Sequence, residues 1–204
     1  MPSAVKQDQE QTVPFTEKRE FTYADYLRWP DDVRAEIIGG IAYMMSPPNT
    51  SHQRVTGRLF NVVSTFLKGK PCEAFIAPFG VRLFPKDDNK DDTVVEPDIV
   101  VVCDSSKIDE RGCNGAPDLI IEILSPSTRR KDRYLKRELY QRAKVREYWI
   151  VSPDDGEVEV HLFETGAIKV YGKNEAETAE DAKLPELVPV FALPGLEVDV
   201  KDVF

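Results

Sequence analysis

Apolar positions at Val55, Leu59, Val62, Val63, Phe66 and Leu67 recur at three-to-four spacing, which predicts one amphipathic helix reaching about Leu67. Thr50 or Ser51 can cap its start. Before it, Thr22-Tyr-Ala-Asp25 resembles a capping box opening a short helix that ends ahead of Pro30. Arg34–Ile38 and Ile41–Met45 flank Gly39-Gly40, a pair that tolerates positive φ, so a β-hairpin is expected there.

The pattern then turns to strands. Phe75–Phe84, Thr93–Val102 and Asp118–Leu124 are β-prone, and the last two are apolar enough for central strands. Ser125-Pro-Ser-Thr128 closes the third and can cap a helix running to about Lys144, with Leu135, Leu139 and Ala143 as its core stripe. Glu147–Ser152 and Glu157–Glu164 form strands across the Pro153-Asp-Asp-Gly156 turn. Ile168–Gly172 adds another, and Leu196, Val198 and Val200 alternate in a short closing strand. Residues 1–18 are polar and aperiodic and read as a disordered tail, leaving one domain over 19–204. The class is α+β (α/β/α-like), a mixed sheet flanked by helices.

Charge sharpens this picture. Between Arg129 and Arg146 nine basic residues meet two acidic ones, a segment of +7 that leaves −16 for the rest of a chain with net charge −9. The acidic balance argues against general nucleic-acid coating but permits a local basic groove, since screening confines surface charge to about 10 Å. Cys72, Cys103 and Cys113 lack CxxC spacing, and with two histidines a Cys/His zinc site is not expected. The odd cysteine count and the lack of a signal peptide point to a reducing cytoplasm. No apolar run approaches the ~20 residues of a membrane span.

Two carboxylates stand inside apolar strands, Asp98 and Glu122. Burying an unpaired charge costs several kcal/mol, so each needs a partner. On neighbouring strands, facing Cβ atoms lie ~4.5–5.5 Å apart. Two carboxylates at that separation require a cation or a shared proton. Mg²⁺ or Mn²⁺, which take oxygen ligands, answer that need. Asp118 lies four residues before Glu122, ~13 Å along one strand, too far to share one ion. A lysine is wanted near the scissile phosphate. Leu124 stands two residues after Glu122, so the next helix must supply it, through Lys136 or Lys131.

Glu122-x-Leu124-Ser-Pro-Ser-Thr128, then Asp132-Arg, Lys136 and Tyr140, then Val145-Arg-Glu-Tyr-Trp149-Ile-Val, resembles the Uma-two family of endonucleases. Glu36-Ile-Ile-Gly-Gly40, Ser46-Pro-Pro, His52, Glu96-Pro-Asp98 and Leu193-Pro-Gly-Leu196 agree, so the likeness spans roughly 20–204. That family is similar to the PD-(D/E)XK nucleases of restriction-endonuclease type, with a mixed sheet flanked by helices and Mg²⁺-dependent phosphodiester hydrolysis. The resemblance implies Asp98 and Glu122 as metal ligands, Glu36 as an additional acid at the edge of the site, and Lys136, rather than Lys131, as the migrated lysine.

The function expected is therefore a cytoplasmic, Mg²⁺- or Mn²⁺-dependent endonuclease acting on DNA as a homodimer, with Arg129, Arg130, Lys131 and Arg133 on flanking phosphates. His52 stands open as a cap residue, a phosphate contact or a metal ligand. Each assignment has a plainer rival. Glu122 can belong to a structural ion pair with Arg129 or Lys136. Asp98 can cap a strand entrance, Glu36 can face solvent, and Lys136 can be a solvated helix residue. Tyr134, Tyr140 and Tyr148 can stack on bases or pack in the core. The competing functions are a catalytically inactive nucleic-acid- or protein-binding module and, more distantly, a small-molecule phosphohydrolase.

Overall fold

The computed structural model of the protein describes residues 20–30, 32–126, 128–172 and 185–204. The segment read as a disordered tail lies outside the described residues. The first helix is α1 (Tyr23–Tyr26), where Asp25 Oδ2 accepts from the Thr22 backbone N–H at 3.0 Å. The expected hairpin is β1 (Ala35–Ile38) and β2 (Ile41–Met44), with Gly39 and Gly40 at φ +57° and +78°. Next comes α2 (Thr50–Leu67), burying Val55, Leu59, Val63 and Leu67. Its cap is Asn49, not Thr50 or Ser51, because the Asn49 side chain accepts from the His52 N–H at 2.9 Å.

Two predicted strands are each divided. Phe75–Phe84 becomes β3 (Glu73–Ile76) and β4 (Val81–Arg82), in different sheets. Thr93–Val102 becomes β5 (Val94–Val95) and β6 (Ile99–Val102), also in different sheets. The breaks fall at Pro78 and Pro97, which lack the N–H a ladder needs. Two short strands were not foreseen, β7 (Ile108–Asp109) and β8 (Gly112–Asn114). Gly112 has φ +131°, and a Cβ there would lie 2.0 Å from the Gly80 carbonyl oxygen, so the strand meets its neighbour only as glycine.

The remaining elements are β9 (Leu119–Ile123), a π-helical segment (Lys131–Lys136) running into α3 (Arg137–Arg142), β10 (Glu147–Ser152), β11 (Glu157–Leu162), β12 (Ala167–Gly172), β13 (Leu187–Pro189), β14 (Glu197–Asp199) and α4 (Val200–Val203). The central sheet has the order β12-β11-β10-β9-β6-β3, with β10 parallel to β9 and the other pairs antiparallel. A second sheet runs β2-β1-β5-β4-β8-β7, and β13-β14 is a separate ribbon.

Alternation along the central strands gives the sheet two apolar faces. Ile99, Val101, Leu119, Ile121 and Ile123 pack with α2 and the C-terminal segment. Val100, Val102, Ile120, Leu124 and Ile150 pack with α3 and the second sheet. The α+β expectation is met, with a second sheet covering part of a face assigned to helices. The cysteine reading needs correction: Cys72 and Cys103 form a disulfide, and only Cys113 is free. β3 and β6 are antiparallel with Glu73 opposite Val102, so the next step of the register sets these two cysteines face to face.

Candidate active site

β6 and β9 run antiparallel with Ile99 opposite Ile121. Continuing that register by one residue sets Asp98 opposite Glu122, the facing-pair geometry expected from sequence. Asp98 is fixed by two donors on one oxygen: Oδ2 accepts from the Ile123 N–H at 2.8 Å and lies 3.2 Å from His52 Nε2. Its Oδ1 takes no hydrogen bond from the described residues. Glu122 receives Lys136 Nζ at 2.8 Å and the Tyr140 hydroxyl at 2.7 Å, both on Oε1. Its Oε2 takes none from the described residues.

Glu36 is not the solvent-facing acid that its hairpin position allowed. It is fully buried on β1, with Lys136 Nζ 2.6 Å from Oε1, Lys131 Nζ 2.7 Å from Oε2, and the Glu96 N–H donating to Oε1 at 3.1 Å. Both candidate lysines, Lys131 and Lys136, reach this acid, and Lys136 also reaches Glu122. The π-helical segment explains this. Its hydrogen bonds run i→i+5, so positions five apart share a face.

Of the predicted stripe, Leu139 is buried and Ala143 packs against the core, while Leu135 departs from it. Leu135 is 37 % exposed, whereas Asp132, Lys136 and Tyr140 form the buried face. Of the rest of the basic run, Arg129 pairs with Asp155 at 3.3 Å and Arg133 with Glu159 at 2.7 Å. Both therefore have acidic partners within the protein. Asp118 sits at the far end of β9, accepting from the Cys103 N–H at 2.8 Å.

Three acids (Glu36, Glu122, Asp132) thus converge on Lys136, Glu36 also meets Lys131, and Asp98 stands across from Glu122 beside His52. Burial pushes the Glu36 carboxyl up, but Lys136 and Lys131 outweigh it and hold that acid below its ordinary range. Glu122 has only Lys136, against burial and the charges of Asp132, Asp98 and Glu36, and its pKa is pushed up to about 8. Burial likewise raises Asp132, whose Oδ1 lies 3.7 Å from Lys136 Nζ without a hydrogen bond. Lys136 is held charged: burial opposes this, but the surrounding carboxylates outweigh it.

A site with more acids than cations, and two hard oxygens left over on facing strands, fits a divalent ion. Among the described residues no group of three or more His, Cys, Asp or Glu side chains could hold a metal by itself. Mg²⁺ asks for less, since it keeps several waters and takes one or two carboxylates.

The raised Glu122 predicts a pH dependence. The folded protein holds a proton that the unfolded chain releases near 4.5. This contribution to stability is complete below that value and disappears as pH climbs to about 8. Urea midpoints of the metal-free protein should fall over this window more steeply than those of Glu122→Gln. Parallel profiles would show that Glu122 is ionised throughout.

These side chains line a cleft of about 730 Å³ between the central sheet, the start of α2 and the π-helical segment. Comparisons with known proteins bear on the fold and the family. A solved structure from Anabaena variabilis, described as a putative nuclease belonging to DUF820, superposes with a TM-score of 0.69 at 23 % identity, covering 90 % of this chain and 97 % of that one. An uncharacterized protein of Synechocystis sp. is 26 % identical over 140 residues, 67 % of this chain and 71 % of its own. The Uma2 family model, described as "Putative restriction endonuclease", matches residues 23–200, and the chain accordingly belongs to the Uma2 family.

Proposed function

We propose that the protein is a Mg²⁺- or Mn²⁺-dependent endonuclease hydrolysing DNA phosphodiester bonds. One observation carries this reading: Asp98 and Glu122 face each other on adjacent strands, and Lys136 donates to Glu122 at 2.8 Å at the base of a cleft. Glu122 Oε2 and Asp98 Oδ1 would hold the ion. When bound, it polarises a phosphate oxygen and lowers the pKa of a coordinated water.

The protein's own groups do the rest. The Ile123 N–H and His52 keep Asp98 in one orientation. Tyr140 and Lys136 do the same for Glu122. The Lys136 ammonium would offset the charge that builds up on the phosphate in the transition state. Glu36 keeps Lys136 charged and aimed. Arg130, on the rim of the cleft, would hold a flanking phosphate. Cutting both strands of a duplex would take two such sites, as in a homodimer. Among the described residues no helix is long and apolar enough to cross a membrane. In the cytoplasm, where we place the protein, Cys72 and Cys103 would be reduced, and the β3–β6 ladder has four register pairs of its own to hold it.

An inactive binding module has one observation in its favour: Lys136 already bridges Glu36 and Glu122, as a purely structural ion pair would. Plasmid and oligonucleotide DNA incubated with purified protein separates the two. Cleavage should appear with MgCl₂ or MnCl₂ and vanish with EDTA. Intact DNA under all metal conditions would leave the binding module as the function.

A further inference from the structure

We infer that the cleft takes a single nucleic-acid strand, splayed out or unpaired, in preference to an intact duplex. The chemistry of this inference rests on the proposed nuclease reading; the preference for one strand rests on the cleft alone. Three features lead to it.

The first is depth. Glu36, Glu122 and Lys136 are 0 %, 4 % and 3 % exposed, so a phosphate must enter the cleft to reach them. At about 730 Å³, that cleft belongs to the size class that encloses a small molecule. One strand can thread it. A duplex, which meets proteins across a groove about 12 Å wide with a backbone on either side, cannot descend into it.

The second is the shortage of free cations. Proteins that hold duplex DNA through its backbones neutralise about 6–10 phosphates. Around this cleft Arg34 is tied to Glu96 at 2.8 Å, Lys131 to Glu36 and Lys136 to Glu36 and Glu122. Arg130 is the lining arginine or lysine without an ion pair among the described residues. Arg129 and Arg133 are neutralised by acids of their own. Such a surface can grip one or two phosphates.

The third is an apolar rim. Met44, Ile76, Tyr134 and Leu135 all line the cleft and are 56 %, 38 %, 67 % and 37 % exposed. The Tyr134 side chain has no hydrogen bond or ring contact among the described residues. Apolar side chains beside a phosphate-binding centre have nothing to meet on a duplex, whose base faces are stacked away. On an unpaired strand each base offers an apolar face, and aromatic side chains bind it without regard to sequence. The π-helical turn that buries Lys136 is the same turn that sends Tyr134 outward, so one device sets both the phosphate end and the base end of the site.

The test separates binding from cleavage. A fluorescein-labelled oligonucleotide, alone or annealed to its complement, is titrated with full-length protein in EDTA and followed by anisotropy. The single strand should bind at least about ten-fold tighter than the duplex. Tyr134→Ala should weaken single-strand binding about ten-fold, with its thermal midpoint unchanged and duplex binding altered less than about two-fold. Tyr134→Trp should retain tight binding. The salt dependence for the single strand should be shallow, with a log–log slope between about −0.7 and −1.4, as one or two released counterions give.

Equal or tighter duplex binding, no binding of either form, or no effect of Tyr134→Ala would overturn the inference. So would displacement of the strand by thymidine monophosphate at concentrations as low as the strand itself requires, since the cleft would then be a mononucleotide site. Adding MgCl₂ then reads the function separately. Single-strand preference without cleavage sustains this inference and removes the nuclease reading. Nicking of duplex alone sustains the nuclease and removes this inference.

Discussion

Asp98→Asn and Glu122→Gln should each reduce metal-dependent DNA cleavage by at least about 100-fold, in line with what losing a metal or its water activation costs. Both changes keep shape and remove one anionic oxygen. Asparagine can still accept from the Ile123 N–H, and glutamine can still accept from Lys136 and Tyr140, so fold and cleft should survive. A hard divalent ion loses half of its anionic donors. The double variant should be little worse than either single one, because two ligands of one ion act as a unit. Calorimetric titration with Mn²⁺ should show binding in the native protein and none in the double variant. Cleavage retained within about three-fold by either variant would sink the two-carboxylate centre.

Lys136→Met should destabilise the protein by about 3–5 kcal/mol near neutral pH, the usual cost of leaving buried charges without their partner. Methionine approximates the volume of the lysine stem, so packing changes little. What is lost is the ammonium that serves Glu36 at 2.6 Å and Glu122 at 2.8 Å. Glu36 would keep only Lys131. At about 2–4 °C per kcal/mol for a chain of this size, the melting temperature should drop by roughly 6–20 °C.

The pH dependence identifies the cause. In the native protein Glu36 is held below its ordinary range by Lys136 and Lys131, although burial opposes them. Its stabilisation is therefore present above its unfolded value of 4.5 and lost as pH falls below it. The gap between native and variant should narrow as pH drops through the carboxylate range. Adding Glu122→Gln to Lys136→Met should recover little of the loss, since Glu122, with its pKa pushed up to about 8, already holds its proton near neutral pH and the stranded charge is that of Glu36. A pH-independent destabilisation would assign the loss to packing instead.

Stability and cleavage depend on the same lysine, and this bears on the two functional readings. A lysine that served only as a structural bridge would give a stability effect and no other. In an enzyme it would act on the phosphate as well, so Lys136→Met assayed well below its melting temperature, where it remains folded, would still fail to cleave. The geometry of the π-helical segment makes Lys136 the hub, because Glu36, Glu122 and Asp132 all lie within 3.7 Å of its Nζ.

Much of this architecture was legible in the one-dimensional pattern. The three-to-four spacing of Val55, Leu59 and Val63 specified α2, and Gly39-Gly40 specified the β1–β2 hairpin, because both depend on local periodicity and backbone freedom. Acids embedded in apolar strands marked Asp98 and Glu122 as a pair, since a buried charge must find a partner wherever the chain places it. Other features had no local signal. Whether β5 and β6 share a sheet, or Cys72 meets Cys103, is settled by how distant segments pair. The burial of Glu36 depends on lysines 95 and 100 residues further along the chain, so the hairpin sequence alone could not declare it. Leu139 and Ala143 keep their expected places, but within the π turn at Lys131–Lys136 Leu135 is exposed and Lys136 is buried. Helical periodicity assumes a constant turn, and here the ion pairs with Glu36 and Glu122 accompany a wider one.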